Sequence, residues 1–185
     1  TLTPLGVPPN GYRLLDGSGL SRQNLSSPKV MVQTLQAIAQ SPYRSIFRAS
    51  LAVAGRSGTL SERFINTQVQ GRFYGKTGTL QGAAALSGYL ESPTGSTLVL
   101  SILANHSTQS SAVLRRAVDK IVLAITQVDA CTKTSKKDFP QRLSMYSNLL
   151  FNADDSKETV DPSTFYAVNS TTGLIPNDFS PIPQK

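Results

Sequence analysis

The stretch Tyr74-Gly75-Lys76-Thr77-Gly78-Thr79-Leu80-Gln81 is the most informative part of this chain. It places a cation, hydroxyl groups and unsubstituted backbone side by side on a segment that is predicted to form a β-strand. Because side chains alternate along a strand, Lys76 and Gly78 share one face while Thr77 and Thr79 share the other. A surface of this kind can hold a carboxylate next to a developing negative charge.

Each residue type in this stretch suits the recognition of an anionic ligand. Lys76 supplies positive potential, and the missing side chain of Gly78 lets a ligand lie along the strand. The threonine hydroxyls can bind carboxylate oxygens, and a backbone N–H just past the glycine can donate to a tetrahedral oxyanion. The triplet Lys-Thr-Gly also occurs by chance, and its lysine can simply keep a strand edge soluble. The surrounding sequence is therefore needed to decide whether this triplet marks a binding site.

Helices are predicted on both sides of this strand. Ser27-Pro28 is typical of an N-cap followed by a first-turn proline, and the apolar spacing after it predicts a helix over residues 28–40. A wide apolar stripe predicts a long helix over residues 110–127 that packs on the sheet. Shorter helices are predicted over Tyr43–Leu51 and from Thr59 to Phe64, the second from capping-box spacing.

Three strands are predicted, over residues 71–78, 83–91 and 97–105. Pro93-Thr94-Gly95 joins the last two tightly, so these strands pair antiparallel. Their nearly continuous apolar runs indicate burial on both faces. The fold class is therefore α/β (α+β), with helices packed on an antiparallel sheet.

Charge divides the chain into two parts. The net charge is +7; residues 1–128 hold 12 basic and 4 acidic residues, whereas residues 129–185 hold 6 and 7. The basic part suggests an anionic partner, but its lysines and arginines are not interleaved with aromatic residues, which disfavours nucleic-acid binding. Residues 129–185 are polar without lasting periodicity and are predicted to form a mostly disordered or loosely attached extension.

Other kinds of site have little support in the sequence. The lone cysteine, Cys131, rules out an intrachain disulfide, and the lone histidine, His106, lies at the end of a predicted strand without a nucleophile-elbow sequence. Metal-ligand spacing, phosphate loops and apolar runs of membrane-spanning length are absent from the sequence, so no metal, cofactor or membrane span is expected. The chain begins at Thr1, and we expect a processed N-terminus or the C-terminal piece of a longer protein.

The segment KTGTLQG, followed by ALSGY and preceded by DGSGLSRQN and AGRSGTL, resembles the penicillin-recognising serine enzymes. More narrowly, it resembles the S13 family of D-alanyl-D-alanine carboxypeptidases/endopeptidases, and the resemblance covers about residues 12–127. It implies that residues 1–128 are the C-terminal part of a serine β-lactamase/DD-peptidase-like transpeptidase domain. The implied ligands are peptidoglycan stem peptides and β-lactam antibiotics, in the periplasm or cell envelope.

The resemblance also implies roles for single residues. Lys76 and Thr77 would bind the terminal carboxylate of the stem peptide, and Lys76 would help polarise the site. With Gly78 between them, Thr77 and Thr79 complete the catalytic strand motif, and the Thr79 N–H would be half of the oxyanion hole.

Two further residues match positions that line the pocket for the stem's diamino-acid side chain, namely Arg22 and Gln81. A surface charge in a loop and a polar residue at a strand end are the alternative interpretations of these two residues. The turn Asp16-Gly17-Ser18-Gly19 would support the cleft.

A nucleophile is missing from this constellation. The family acylates a serine that is activated by a lysine one helical turn later (SxxK), and a second motif, SxN, lies across the cleft. Ser26-Ser27-Pro28-Lys29 fits SxxK only as text, because a helix cap explains it fully. We therefore expect the chain alone to be inactive. A serine β-lactamase and a non-catalytic module that binds cell-wall peptides remain the alternatives.

Overall fold

The computed structural model describes residues 2–92, 95–131 and 165–170 and has the predicted mixed α/β architecture. A five-stranded antiparallel sheet in the order β3-β4-β5-β6-β7 lies between helices, and β1 and β2 form a separate two-stranded pair. The helices are α1 (Pro28–Ala39), α2 (Arg44–Ala49) and α3 (Ser111–Cys131), and the strands are β1 (Tyr12–Arg13), β2 (Leu25–Ser26), β3 (Ala52–Val53), β4 (Phe73–Leu80), β5 (Ala83–Glu91), β6 (Thr97–Ala104) and β7 (Phe165–Ser170).

Helix α1 covers one face of the sheet and begins as the sequence predicts. The Ser27 hydroxyl accepts a hydrogen bond from the Val30 N–H at 3.3 Å, and Pro28 occupies the first turn, where its missing N–H costs nothing. Leu35 on this helix packs with Tyr89 of β5, whose buried hydroxyl donates to the Leu35 carbonyl at 2.7 Å. This hydrogen bond locks α1 to the middle of the sheet.

Helix α3 covers the opposite face. Its predicted apolar stripe is buried, with Leu114 and Val122 fully inaccessible to solvent, and Phe73 of β4 belongs to the same core cluster as Val122. Asp119 reaches from the helix to Arg63, and the Arg63 Nε donates to the two carboxylate oxygens at 3.1 and 3.2 Å. Among the described residues, no helix is both long and apolar enough to cross a membrane.

The hairpin of β4 and β5 sets the register of the predicted motif. Leu80 pairs with Ala83, so the two residues Gln81-Gly82 make the turn. Gly82 has φ +71, a conformation that L side chains rarely adopt. Strands β5 and β6 then pair antiparallel from Ala84 to Glu91, as predicted.

The short helix predicted from Thr59 to Phe64 is wrong in extent. A single 3₁₀ turn spans Gly58–Leu60, and Phe64 takes a left-handed φ of 65, which no helix continues. That conformation accompanies burial of the Phe64 ring, whose centroid lies 6.3 Å from that of Phe73. Core packing therefore overrides the local capping signal.

The sheet has more strands than the three predicted. Strand β3 adds two residues at one edge, and β7 pairs with β6 at the other over six residues. Residues 165–170 were predicted to be part of the disordered extension; the polar composition of the whole tail hides the strand-forming run Phe165–Val168. The rest of that predicted extension beyond α3 lies outside the described residues, as does Pro93-Thr94, and the domain boundary at 128/129 stays a prediction.

Candidate functional site

The backbone hydrogen bonds of β4 distinguish its two edges. The inner edge faces β5, and the outer edge faces β3. The Phe73 carbonyl accepts from the Ala54 N–H on the β3 side, whereas the Arg72 carbonyl accepts from the Glu91 N–H at the end of β5. Because peptide groups alternate along a strand, the N–H and C=O groups of Thr77 and Thr79 point to the β3 side.

On that side, β4 is largely uncovered. Strand β3 pairs only with Tyr74 and Gly75, and within the described part of the chain no strand pairs with the outer edge from Lys76 to Leu80. The Thr79 N–H, which the family resemblance implies as an oxyanion donor, therefore lies on an open edge. Such an edge can accept an extended ligand by adding it as a further strand.

Lys76 places its charge at this open edge. The side chain is exposed, and its ammonium group donates to the Thr77 carbonyl at 2.6 Å. Since that carbonyl belongs to the outer edge, positive charge and edge N–H groups lie together. This combination favours an anion over a neutral ligand.

Gly78 lies on the same exposed face as Lys76. A methyl group built at Gly78 would meet only the Ala85 Cβ, at 3.4 Å, which is an ordinary contact. The chain's own packing therefore does not require a glycine here, in agreement with a glycine that leaves room for a ligand. Helix α1 covers this sheet face further along, over Tyr89, and leaves Gly78 exposed.

Thr77 has a partner that no sequence motif identifies. Its hydroxyl donates to the hydroxyl of Thr59 at 2.8 Å, across 18 positions of the chain. Thr59 belongs to the AGRSGTL segment, which carried part of the family resemblance but was otherwise interpreted only as a helix start. The contact fixes the Thr77 side chain next to the open edge.

Arg22 and Gln81 come together although 59 positions separate them. The Arg22 guanidinium donates from Nη2 to the Gln81 carbonyl at 3.4 Å, so the loop after β1 reaches the tip of the β4–β5 hairpin. Both side chains are exposed. The two residues predicted to share a pocket are therefore neighbours, at the end of β4 that follows Thr79.

The loop that carries Arg22 is braced from within. Asn24 accepts from the Leu15 N–H at 2.7 Å and donates to the Asp16 carbonyl at 3.1 Å. The Ser18 hydroxyl and N–H both donate to the Asp16 carboxylate, and these bonds lower the pKa of Asp16. The Asp16–Gly19 turn is thus held in shape by bonds within its own loop, and its support of the cleft stays a prediction.

The rejected candidates have ordinary surroundings. Ser27 caps α1 and Lys29 is exposed on that helix, so the SxxK-like text is a helix start. His106 is exposed, with a left-handed φ of 58, just after β6. Cys131 ends α3. Over the described ranges, no group of three or more His, Cys, Asp or Glu side chains could hold a metal ion.

Comparison with known proteins identifies the family. The profile of the D-Ala-D-Ala carboxypeptidase 3 (S13) family matches residues 1–128. The chain is 41% identical over 123 residues to a D-alanyl-D-alanine carboxypeptidase of Actinomadura sp. (strain R39), covering 63% of this chain and 23% of that protein. It is 35% identical over 135 residues to the penicillin-sensitive carboxypeptidase A of Dictyostelium discoideum, covering 66% and 25%.

The fold matches a solved structure of the same kind. Penicillin-binding protein 4 (dacB) from Haemophilus influenzae superposes with a TM-score of 0.53 at 25% identity, over 80% of this chain and 30% of that chain. The same protein complexed with a novel β-lactam matches equally well. The chain spans about a quarter of the length of the two curated relatives named above.

Proposed function

The chain belongs to the D-Ala-D-Ala carboxypeptidase 3 (S13) family, and we propose that it is the carboxylate-binding part of a serine D-Ala-D-Ala carboxypeptidase/endopeptidase. The substrate would be the stem peptide of peptidoglycan. One observation carries this proposal: the outer edge of β4 is open from Lys76 onward, and the ammonium group of Lys76 lies at that edge.

The geometry suits an extended peptide that ends in a carboxylate. The peptide would lie antiparallel along β4, bound by the outward N–H and C=O groups of Thr77 and Thr79. Lys76 and the Thr77 hydroxyl would bind the terminal carboxylate. The Thr79 N–H would donate to the carbonyl oxygen of the D-Ala-D-Ala amide, which gains negative charge as a serine attacks the carbon.

Arg22 and Gln81 would act further along the substrate. They lie together at the end of β4 beyond Thr79. An exposed guanidinium and an amide side chain suit the polar end of the stem's diamino-acid side chain. This assignment makes the hairpin tip a specificity element rather than part of the bond-breaking machinery.

The attacking serine and its lysine are proposed to come from sequence outside this chain. In the relatives, the matched region is only about a quarter of the protein. The full-length enzyme would form an acyl-serine intermediate and release D-Ala, and water would then hydrolyse the acyl-enzyme. By the same chemistry, a β-lactam would acylate the serine. We place the enzyme in the periplasm or cell envelope, where peptidoglycan lies.

Acylation of the full-length protein by a labelled penicillin tests the role of Lys76. Lys76→Ala should slow acylation by on the order of a hundred-fold, because a positive charge is lost beside the bound carboxylate. Lys29→Ala removes an exposed lysine from the start of α1 and should leave the rate unchanged. An equal effect of both substitutions would reject the proposed site.

Release of D-Ala separates this function from its rivals. The full-length protein should release D-Ala from a D-Ala-D-Ala peptide and keep the penicillin label for a long time, whereas the isolated chain should release none. Rapid hydrolysis of the penicillin would instead indicate a β-lactamase. Peptide binding without D-Ala release would indicate a non-catalytic module. Turnover by the isolated chain would refute the proposal that the attacking serine and its lysine come from sequence outside this chain.

A further inference from the structure

The tip of the β4–β5 hairpin is held from two sides by consecutive carbonyl groups. The Gln81 carbonyl accepts from Arg22 Nη2 at 3.4 Å, and the Gly82 carbonyl accepts from the Ser107 N–H at 3.1 Å. The two acceptors belong to adjacent residues, so a shift of one moves the other. The loop after β6, which carries Ser107, is therefore linked to Arg22 through the Gln81-Gly82 turn, to which both are hydrogen-bonded.

The contact between Gly82 and Ser107 is tight. A Cβ built at Gly82 would lie 2.7 Å from the Ser107 carbonyl oxygen, which is a main-chain atom and not the end of a flexible side chain. Gly82 also has φ +71. A glycine is required here for two reasons, the backbone conformation and the close approach.

The loop that carries Ser107 is itself well fixed. The Ser107 hydroxyl accepts from the Gln109 N–H at 3.1 Å, and the Ser110 hydroxyl accepts from the Val113 N–H at the start of α3. His106, immediately before Ser107, has φ 58, a conformation that a non-glycine residue keeps only where its surroundings demand it. The loop is thus a rigid backing anchored to α3.

We infer that the Gly82–Ser107 clasp is a positioning element for substrate selection: it holds the hairpin tip, and thereby Arg22, where the side chain of the stem's diamino acid is recognised. This inference rests on the function proposed above and adds a residue pair that touches neither substrate nor nucleophile. The clasp acts on Arg22 and not on Lys76, because the pairing of β4 with β5 holds the Lys76 segment independently.

The test uses the full-length enzyme and two D-Ala-D-Ala peptides. One peptide carries the diamino acid with its free side-chain end, and the other has alanine at that position. Gly82→Ala should lower kcat/KM for the first peptide by on the order of ten-fold while leaving the second nearly unchanged, because a misplaced recognition group costs binding only where it is used. Labelled penicillin counts the folded active sites in each preparation.

Matched variants isolate the clasp. Ser107→Pro removes the donating N–H and should reproduce the effect, whereas Ser107→Ala keeps that N–H and should have a smaller effect. Gly6→Ala is the control for backbone strain, since Gly6 has φ +75 but nothing within 4 Å of a built Cβ. In an Arg22→Ala background, Gly82→Ala should no longer change the ratio between the two peptides.

The outcomes distinguish this inference from the function on which it rests. If Gly82→Ala lowers kcat/KM equally for both peptides, or changes neither, the clasp has no role in selection and the inference is overturned. If its effect simply adds to that of Arg22→Ala, the coupling through the hairpin tip is refuted. Wild-type enzyme that cleaves neither peptide would reject the proposed function itself, and the inference with it.

Discussion

At the scale of single residues, glycine occurs at different positions of the β4–β5 hairpin for different physical reasons. Gly75 and Gly88 face each other across the two strands; a Cβ at Gly88 would lie 2.1 Å from the Tyr74 carbonyl oxygen, and one at Gly75 would meet the Phe73 ring at 2.4 Å. These two glycines serve packing. At Gly78 a Cβ fits, so packing within the described residues does not account for the glycine there.

This contrast leads to a first prediction. Gly78→Ala should change the melting temperature of the full-length protein little, but it should slow acylation by labelled penicillin at least ten-fold, because the new methyl group occupies the exposed face of β4 that Gly78 shares with Lys76. Gly88→Ala should instead destabilise the fold by about 2 kcal/mol or more, through a clash with main-chain atoms. Thermal unfolding and acylation rates measured on both variants check this, and a reversed pattern would contradict it.

A second prediction concerns Tyr89, which is 3% exposed. Burial raises its pKa from 10.0 to about 12, while the nearby charge of Arg48 opposes that rise. The folded state therefore holds the phenolic proton more tightly than the unfolded chain. As pH rises from about 10 to 12, the free energy of unfolding should fall by roughly 2 kcal/mol from this group.

Urea unfolding at several pH values tests the role of Tyr89. Tyr89→Phe should lose about 1 kcal/mol at neutral pH, since its hydrogen bond to Leu35 disappears. The same variant should show a weaker decline in stability above pH 10 than the wild type. An identical alkaline decline in both proteins would exclude Tyr89 as the source.

At the scale of elements, the sequence predicted what regular patterns encode. Helix α1 was placed to within one residue because Ser27 and Pro28 mark its start, and strand β5 matched fully because its apolar run ends in a turn. The predicted helix from Thr59 failed where tertiary burial of Phe64 decided the backbone conformation. Strand β3 is two residues long and depends on pairing with β4, so no local pattern announces it.

In the candidate site, too, some features follow from a local sequence pattern and others depend on tertiary contacts. The sequence predicts Lys76 through Thr79 as site residues because a motif names them, and the structure places the predicted residues Arg22 and Gln81 next to each other. The contact of Thr59 with Thr77 could not be predicted, because it joins a 3₁₀ turn to a strand residue 18 positions further along the chain. Contacts of this kind depend on the folded path of the chain and leave no periodic signal.

A third prediction tests how α3 is attached to the preceding loop. Arg63 and Asp119 are partly buried partners, with side chains 13% and 22% exposed. Burial raises the pKa of Asp119 although Arg63 opposes that rise, so the pair is strained by desolvation. Asp119→Ala should destabilise the protein by about 3 kcal/mol, because a buried guanidinium loses its partner.

The double variant Arg63→Met with Asp119→Leu is the matched control for this pair. It removes both charges and should recover most of the lost stability. Denaturant unfolding of the single and double variants gives the interaction free energy between the two side chains. If the double variant were as unstable as the sum of the two single ones, the contact would not be the source of the loss.

At the scale of the whole molecule, apolar surface is unevenly distributed. Half of the exposed large apolar side chains among the described residues lie between positions 14 and 25: Leu14, Leu15, Leu20 and Leu25 are 51 to 71% exposed. This segment also carries Arg22 and is held in shape by Asn24. Exposed apolar side chains concentrated in this way promote association.

The fourth prediction follows from this segment. The isolated chain should self-associate at micromolar concentration, and replacing these four leucines with serine should shift it toward monomer in sedimentation velocity. Ile46→Ser is the control, since Ile46 is 72% exposed but lies on α2. A wild-type chain that stays monomeric at high concentration would contradict the prediction.

The short length of β3 has one more consequence. Extending its register backward would set Leu51 opposite Lys76 and Ser50 opposite Thr77. The final turn of α2 prevents this, because the Leu51 N–H is already engaged by the Arg48 carbonyl and the Ser50 N–H by the Ile46 carbonyl. The last turn of α2 thus leaves the outer edge of β4 open; if this turn unwound, residues 50 and 51 could pair with Thr77 and Lys76 and close that edge to any other strand.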